Sequence, residues 1–404
     1  MTAKGNSFYR DLIVGILDKM PKMHKPRQNF LVETFTLFLS IVGRVNFLQL
    51  GRYGKYTEQG YRQQFEKPCS FLSFNGELTR ATGSGDYAIA IDPTFIPKSG
   101  NKTPGIAKFW SGTAGKAKEG LEFVGIAAID MVNKTAFHLD APQTIPTEEK
   151  TLVEIYAQMI IDRANELLKI SKILVADAYF SKATFIKPMI KNGFHLISRL
   201  RKDANLKYLT KKEPTGKRGR PKKYAGKVNT QAIDTNFFEE VQTQDETIKL
   251  YTAIVYSVSL KSNIRLVYAR KTDTGKATSK LYFCTNTKIA AERIFQYYKS
   301  RFQIEFLYRD AKQHTGLTHC QARSVNKLNF HCNMALTVVN IAKAVHWLKI
   351  PLENREAFSM SDVKTINHNT LLINRFLSKF GIDPNLEENQ NHIHELTYYG
   401  TIAA

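Results

Sequence analysis

The sequence predicts an α/β protein built around a mixed sheet. Three strand-like runs follow one another between about residues 86 and 140: DYAIAIDPTF, LEFVGIAAID and NKTAFHLDAPQT. Helical periodicity then appears in EEKTLVEIYAQMIIDRANELLK and alternates with the short apolar runs KILVAD and FHLISRLR. Consecutive strands followed by alternating helix and strand are typical of a mixed α/β sheet.

Residues 1–82 are expected to form a helical N-terminal region. FLVETFTLFLSIV and FLQLGRYGKYTEQGYRQQFEK are amphipathic, and Gly51 and Gly54 break the second segment. Two helices joined by a short glycine-containing turn suggest a helix-turn-helix, with Thr57 as the N-cap of the helix that would enter a DNA groove. A helical bundle that only supports the rest of the protein explains the same pattern equally well.

The overall charge indicates a polyanionic partner. The 404 residues carry a formal net charge of +22. Such a charge favours nucleic acid and predicts binding that weakens steeply with salt. No apolar run approaches the roughly 20 residues of a membrane span, and the N-terminus lacks a signal-peptide pattern, so we expect a cytoplasmic protein with no membrane partner. The four cysteines are scattered along the sequence, so we expect no disulfide framework.

Residues 202–287 have a separate character. The basic stretch LKYLTKKEPTGKRGRPKKYAGK precedes the strand-like runs TIKLYTAIVYSVSL, IRLVYARK and KLYFCTN, which predicts a basic loop followed by a β-rich insertion. Within the loop, Arg218, Arg220 and Lys222 are candidate DNA-binding residues, because extended Arg side chains can enter a narrow minor groove. A solvated basic loop is the alternative.

Two aspartates end short, nearly continuous apolar runs. Asp92 ends AIAID and Asp177 ends ILVAD, and such runs are typical of strands covered on both faces. A carboxylate in that position is costly unless it faces a cleft. Each Asp is therefore either a candidate catalytic residue or a cap of the turn or helix that follows it.

A third carboxylate lies in YYKSRFQIEFLYRDAKQ, which we predict to be one uninterrupted helix. On such a helix Tyr298, Arg301, Glu305 and Lys312 fall within an arc of roughly 60°. Phe302, Ile304, Phe306 and Leu307 are expected to bury its other side. Carboxylates bind divalent cations and Arg and Lys grip phosphates, so three carboxylates with this face predict two-metal phosphoryl transfer. A solvated charged stripe is the alternative for this helix.

The chain resembles the bacterial insertion-sequence transposases of the DDE type. YKSRFQIEFLYRDAK matches the branch whose signature is Tyr, two residues, Arg, three residues, Glu, six residues and Lys. Asp92 in IAIDPTFIPKSG and Asp177 in ILVADAYFSKATFI stand where that family has its first two catalytic aspartates. The resemblance covers roughly residues 85–345.

The resemblance implies a ribonuclease-H-like catalytic core in two parts, 83–201 and 288–350, separated by the insertion. Asp92, Asp177 and Glu305 would be the catalytic residues and would hold two Mg²⁺ ions, with Mn²⁺ as a substitute. Tyr298, Arg301 and Lys312 would bind DNA, although Tyr298 could equally be a packing aromatic.

The implied activity is cut-and-paste transposition of an insertion sequence. The expected partners are double-stranded DNA, as terminal inverted repeats and target, and a second copy of the chain, with residues 351–404 as the candidate dimerisation region in a nucleoid-associated complex. The alternatives are a metal-dependent nuclease without strand transfer and a transposase-derived DNA-binding protein.

Overall fold

The computed structural model describes residues 2–20, 23–100, 102–201, 204–210, 222–230, 233–243, 245, 247–273 and 276–402. The helices are α1 (Thr2–Leu17), α2 (Lys25–Ser40), α3 (Phe47–Tyr53), α4 (Glu58–Glu66), α5 (Phe71–Thr82), α6 (Leu152–Ile161), α7 (Ala164–Leu167), α8 (Ala183–Lys191), α9 (Ala291–Ser300), α10 (Gln303–His314), α11 (Val325–His346), α12 (Met360–Phe380) and α13 (Glu387–Tyr398). The strands are β1 (Tyr87–Pro97), β2 (Ala107–Ser111), β3 (Lys116–Asp130), β4 (Thr135–Asp140), β5 (Ile173–Ala176), β6 (His195–Arg199), β7 (Leu206–Leu209), β8 (Tyr224–Lys227), β9 (Glu239–Val241), β10 (Ile248–Ser257), β11 (Ser262–Asp273) and β12 (Lys276–Cys284).

The chain divides into two compact units. Unit 1 comprises Met1–Asp86, Pro93–Ile145 and Gln303–Ala404, and unit 2 comprises Tyr87–Asp92 and Pro146–Phe302. The boundaries therefore cut strand β1 after Asp92 and fall between helices α9 and α10. None of the helices in the described part of the chain combines the length and hydropathy that a membrane crossing needs.

Unit 1 contains the helical N-terminal segment. Thr57 caps α4 as expected, because its side chain accepts a hydrogen bond from the Gly60 N–H at 3.1 Å. Helices α2 and α4 pack through a buried aromatic cluster with α11, in which the rings of Phe65 and Phe330 lie 4.3 Å apart. Tyr61 and Phe65 are both fully buried, so α4 presents one face to this core.

The sheet of unit 1 is formed by β2, β3, β4 and the second half of β1. Strand β3 pairs antiparallel with β2 and with β4, and it is buried continuously from Gly120 to Asp130. Helix α11 covers β4 through buried amides, because Asn340 donates hydrogen bonds to the Asn75 side chain at 2.9 Å and to the His138 carbonyl at 2.8 Å. These satisfied polar groups fix the position of α11 on the sheet.

The sheet of unit 2 carries the residues of most functional interest. Its strand order is the first half of β1, then β5, β6, β12, β11, β10, β7 and β8, with β9 paired to β10. Strands β1, β5 and β6 are parallel, whereas β6 to β12 and the following pairs are antiparallel. Helix α9 packs on this sheet and contacts β5, β6 and β12. The β-strands predicted after the basic loop thus continue the same sheet as β5 and β6.

The prediction of one uninterrupted helix across YYKSRFQIEFLYRDAKQ is wrong. Helix α9 ends at Ser300 and α10 begins at Gln303. At the break the Arg301 N–H bonds to the Tyr298 carbonyl three residues back, at 3.2 Å, instead of four residues back. The segment contains no glycine or proline, so its own sequence does not signal the break.

The burial predicted for this stretch is correct in part. Ile304 and Leu307 are buried on α10. Phe302 and Phe306 are 44% and 40% exposed, so the expectation that they bury the helix is wrong. Phe302 lies in the break, where the helical spacing used for the prediction no longer applies.

Candidate functional site

Asp92 and Asp177 occupy matching positions on two neighbouring parallel strands, with Asp92 in the middle of β1 and Asp177 directly after the last residue of β5. The register pairs Ile89 with Leu174 and Ala90 with Val175, a constant offset of 85 residues, and Asp92 and Asp177 differ by the same 85. Residues in register on adjacent strands point to the same face, and adjacent strands lie about 4.8 Å apart. The two carboxylates, which the sequence separates widely, therefore share one face of the sheet.

Asp177 also serves as a helix cap. Its Oδ1 accepts a hydrogen bond at 2.9 Å from the N–H of Tyr179, at the start of a 3-10 turn spanning Ala178–Phe180. Ser198 Oγ donates to the Asp177 carbonyl at 2.7 Å, which ties β6 to the same point. A carboxylate has two oxygens and about four lone-pair positions, so capping is compatible with binding a cation. The two roles considered for Asp177 do not exclude each other.

Asp92 is paired with Arg301. The Arg301 Nη1 lies 3.4 Å from Asp92 Oδ1, and the two side chains are only 15% and 23% exposed. Arg301 follows the last residue of α9, so the end of this helix is held against the middle of β1. A positive charge at this position balances the Asp92 carboxylate, and a divalent cation bound to Asp92 would compete with it.

A further cation, Arg199, lies level with Asp92 and Asp177 on the next strand, and the sequence analysis did not identify it. Strand β6 pairs with β5 at an offset of 22 residues, from Ile173 and His195 to Ala176 and Ser198. The same offset places Arg199 level with Asp177. Arg199 is exposed at the strand end. In the sequence, Arg199 is marked only by the basic end of FHLISRLR. The strand register is needed to show that it lies beside Asp177.

The tyrosines beside this row are held as neutral phenols. Tyr282 pairs with Arg199 across β12 and β6, and its ring lies 4.6 Å from that of Tyr298 on α9. Burial raises the pKa of Tyr282 to about 12, with a further rise from Tyr298 and a smaller lowering by Arg199. The pKa of Tyr298 is also raised, chiefly by burial, while Arg301 and Arg199 oppose that rise. Near neutral pH the Tyr298 hydroxyl can therefore donate a hydrogen bond.

The other two residues of the signature lie on α10 in unit 1. Glu305 is exposed in the first turn of α10, and Lys312 is half-buried near its end. Their separation of seven residues is close to two helical turns, so both belong to one face of α10. The structure thus brings Asp92, Asp177 and Arg301 together within unit 2.

The remaining candidate residues are possible metal ligands and the cations of the basic loop. No group of three or more His, Cys, Asp and Glu side chains among the described residues lies close enough together to hold a metal ion. The chemistry of the Asp92 and Asp177 donors nevertheless suits Mg²⁺, which prefers carboxylate oxygens. Arg218 and Arg220 lie outside the described residues, whereas Lys222 is exposed just before β8.

Two level carboxylates beside two arginines and a neutral phenol combine groups that suit a cation with groups that suit a phosphate. A family model described as "Transposase DDE domain" matches residues 83–341, which is more than half of the chain and includes Asp92, Asp177 and Glu305. The chain therefore belongs to the family of transposases with a DDE domain, and its mixed sheet is consistent with their ribonuclease-H-like fold. A comparison with curated proteins found no match.

Proposed function

We propose that this protein is the cut-and-paste transposase of a bacterial insertion sequence, in the branch with the Tyr-Arg-Glu-Lys signature. One observation carries the proposal: the parallel register brings Asp92 level with Asp177, within the region that matches the transposase family. The net charge of +22 supports DNA as the partner, because a polyanion is attracted by such a field.

The proposed catalytic residues are Asp92, Asp177 and Glu305, which would hold two Mg²⁺ or Mn²⁺ ions. Such ions lower the pKa of an attacking water or hydroxyl and stabilise the charge that develops on the leaving oxygen. The donor set supports this assignment because all three groups are carboxylates. Asp177 keeps its orientation through the hydrogen bond from Tyr179 N–H, so one strand end is already fixed before any cation binds.

The proposed DNA-binding residues are Tyr298, Arg301 and Lys312, and Arg199 joins them. Arg301 would leave Asp92 and grip a phosphate oxygen when the carboxylate takes a cation, because a guanidinium pairs well with phosphate. Tyr298, neutral near pH 7, would donate a hydrogen bond to a phosphate oxygen. Arg199 would offer a second guanidinium level with Asp177.

The proposed reaction has two steps at one site. A water oxygen attacks the phosphodiester at the end of the element, and the bond to the 3′ oxygen breaks so that this oxygen leaves as a 3′-hydroxyl. The freed 3′-hydroxyl then attacks a phosphodiester of the target DNA, and the target's own 3′ oxygen leaves. Terminal inverted repeats and target DNA are therefore both proposed substrates.

The two alternatives are a nuclease without strand transfer and a transposase-derived DNA-binding protein. A nuclease would stop after the first step. A transposase-derived DNA-binding protein would keep Arg301 on Asp92 permanently, and the 3.4 Å pair is the observation that favours that reading. A binding protein, however, gains nothing from level carboxylates beside a polyanion, because they repel it.

Purified protein incubated with labelled element ends, with and without Mg²⁺, tests the proposal. Wild type should release a 3′-hydroxyl end only with the metal and should join it to target DNA. Glu305→Gln should abolish cleavage and retain binding of the ends. Glu149→Gln, an exposed change in the loop before α6, is the control and should cleave like wild type. Cleavage by Glu305→Gln at the wild-type rate would refute the role of Glu305, and cleavage without joining would favour the nuclease.

We also propose that the protein acts as a homodimer that pairs two element ends through residues 351–404. Leu372, Phe376 and Phe380 repeat every four residues along α12 and are 48%, 55% and 67% exposed. Helix α12 carries Arg375 and Lys379 beside this stripe, whereas α13 carries acidic residues in its first turn. Helices α12 and α13 already pack against each other within one chain, so the exposed apolar stripe on α12 is the observation that supports pairing with a second copy.

A further inference from the structure

Unit 2 contains a cavity of about 350 Å³ beside the strand end that carries Asp177. It is bounded by the start of α8, by the segment after β6 and by the turn between β10 and β11. Its apolar lining includes Ile186, Leu206, Ile264 and Phe283, all of them buried. A volume of this size is at the lower end of the range for small-molecule sites and can accommodate a nucleotide.

Two cations line the cavity alongside its apolar floor. Lys182 is half-buried, with its Nζ 4.3 Å from the centre of the Tyr179 ring, and Arg201 is exposed. None of the described residues that line the cavity is acidic. Ser181 and Ser257 add hydroxyl groups. The cavity thus combines an apolar floor with positive charge and hydrogen-bond donors, which suits a base and sugar joined to a phosphate.

The distance from the cavity to Asp177 can be estimated along two chain segments, one that starts at Asp177 and one that starts at Arg199. Ser181 follows Asp177 by four residues through a 3-10 turn, which at about 2.0 Å per residue gives roughly 8 Å. Arg201 lies two residues beyond Arg199, which is level with Asp177, and two extended residues span about 7 Å. Both counts correspond to about two base steps of a DNA strand, at about 3.4 Å each.

We propose that this cavity binds one nucleotide of the DNA strand about two base steps from the phosphate that is cleaved. Lys182 and Arg201 hold its phosphate, and the apolar floor receives its sugar and base. The inference rests on the proposed function, because it takes the Asp177 strand end as the place of cleavage. The same chemistry, a nucleoside monophosphate, could also come from a free nucleotide, and the experiment separates the two sources.

The first measurement is metal-free binding of a short labelled DNA strand to the full chain, followed by fluorescence anisotropy. Lys182→Gln/Arg201→Gln should bind about tenfold more weakly, because a charged hydrogen bond to phosphate is lost. The slope of log K against log salt should also fall by about 0.7, the value for one phosphate contact on a single strand. Lys187→Gln/Lys191→Gln removes the same charge from the exposed face of α8 and should change neither quantity.

The second measurement maps the phosphate. In a set of element-end DNAs, one phosphate at a time is replaced by a neutral methylphosphonate. Wild type should bind weakly only to the DNA in which the replaced phosphate lies about two positions from the cut. The double cavity variant should be insensitive to that position. Lys182→Arg should retain the wild-type pattern, which separates loss of charge from a disturbed fold.

Three results would overturn the inference. The control pair could lose as much affinity as the cavity pair, or the scan could show no preferred position. Free deoxynucleoside monophosphate could instead bind wild type as tightly as the strand does and lose binding in the cavity variant, which would identify a free-nucleotide site. Because binding is measured without metal, failure of wild type to cleave DNA would contradict the proposed function without deciding these outcomes.

Discussion

Arg301→Gln tests whether this arginine and a metal ion share the Asp92 carboxylate. Two unit charges 3.4 Å apart attract by about 5 kcal/mol at an effective dielectric constant of 20, and by about 1 kcal/mol in bulk water. The side chains are 15% and 23% exposed, and ordering them and removing water offset part of the attraction. A net value of about 1–2 kcal/mol is therefore reasonable for this pair. Removing the competing charge should strengthen Mg²⁺ binding by about five- to thirtyfold.

The assay is a Mg²⁺ titration of DNA-free protein by calorimetry. Arg301→Gln should bind Mg²⁺ more tightly than wild type and should bind DNA more weakly, because the guanidinium also grips phosphate. Arg301→Lys keeps the charge and should stay close to wild type in Mg²⁺ affinity. Lys169→Gln breaks an exposed ion pair with Glu166 and is the control. Unchanged or weaker Mg²⁺ binding in Arg301→Gln would refute the idea of competition for Asp92.

Three further predictions concern an aromatic contact, acid stability and assembly. Tyr298→Phe keeps the ring contact with Tyr282 and should lower the melting temperature only slightly, through the lost hydrogen bond with Arg301, while DNA binding weakens about tenfold through the lost hydroxyl, measured by anisotropy. Burial lowers the pKa of His331 to about 4, so the unfolded chain binds a proton between about pH 6.5 and 4 that the folded chain does not, and stability should fall as pH falls through that window. In urea unfolding, the free energy of unfolding of His331→Gln should fall between pH 6.5 and 4 by up to about 3 kcal/mol less than that of wild type. An equal fall in the variant would show that His331 does not cause the loss of stability. Phe376→Glu should give monomers in sedimentation experiments with unchanged secondary structure, and persisting dimers would place the interface elsewhere.

The acidic pair is the part of the site that the sequence predicts best. Asp177 directly follows β5, as its apolar run predicts, whereas β1 continues through Asp92 to Pro97, so the prediction that Asp92 ends a strand is wrong. The parallel pairing that makes them level is consistent with the helix predicted between their strands, because parallel neighbours need a long crossover. The continuous apolar runs thus predicted both the parallel pairing of the two strands and the two candidate aspartates.

The break between α9 and α10 shows what local sequence does not determine. Neither glycine nor proline lies near Arg301, so helical periodicity predicts that the helix continues. The helix end is instead held by distant groups, since Tyr298 contacts Tyr282 and Arg301 pairs with Asp92. Tertiary contacts of this kind override helix propensity, which amounts to less than about 1 kcal/mol per residue.

Arg199 and the cavity illustrate a second kind of omission. The sequence shows many basic residues, and no local feature separates Arg199, Lys182 or Arg201 from the rest. Their significance depends on register and on which side chains surround them, and both are properties of the assembled sheet. Strand β2 was also missed, because five residues with two polar side chains give too short a pattern.

Asp177→Asn provides the most direct test of the central claim that Asp92 and Asp177 form the catalytic carboxylate pair. Asn caps turns about as well as Asp, so the hydrogen bond from Tyr179 N–H and the fold should be retained while the negative charge is lost. The measurement is the rate of Mg²⁺-dependent cleavage of element ends at saturating protein. We predict a fall of at least about a thousandfold with end binding unchanged, because metal-assisted charge stabilisation contributes several kcal/mol. Cleavage within about tenfold of the wild-type rate would mean that Asp177 is only a cap and would contradict the account.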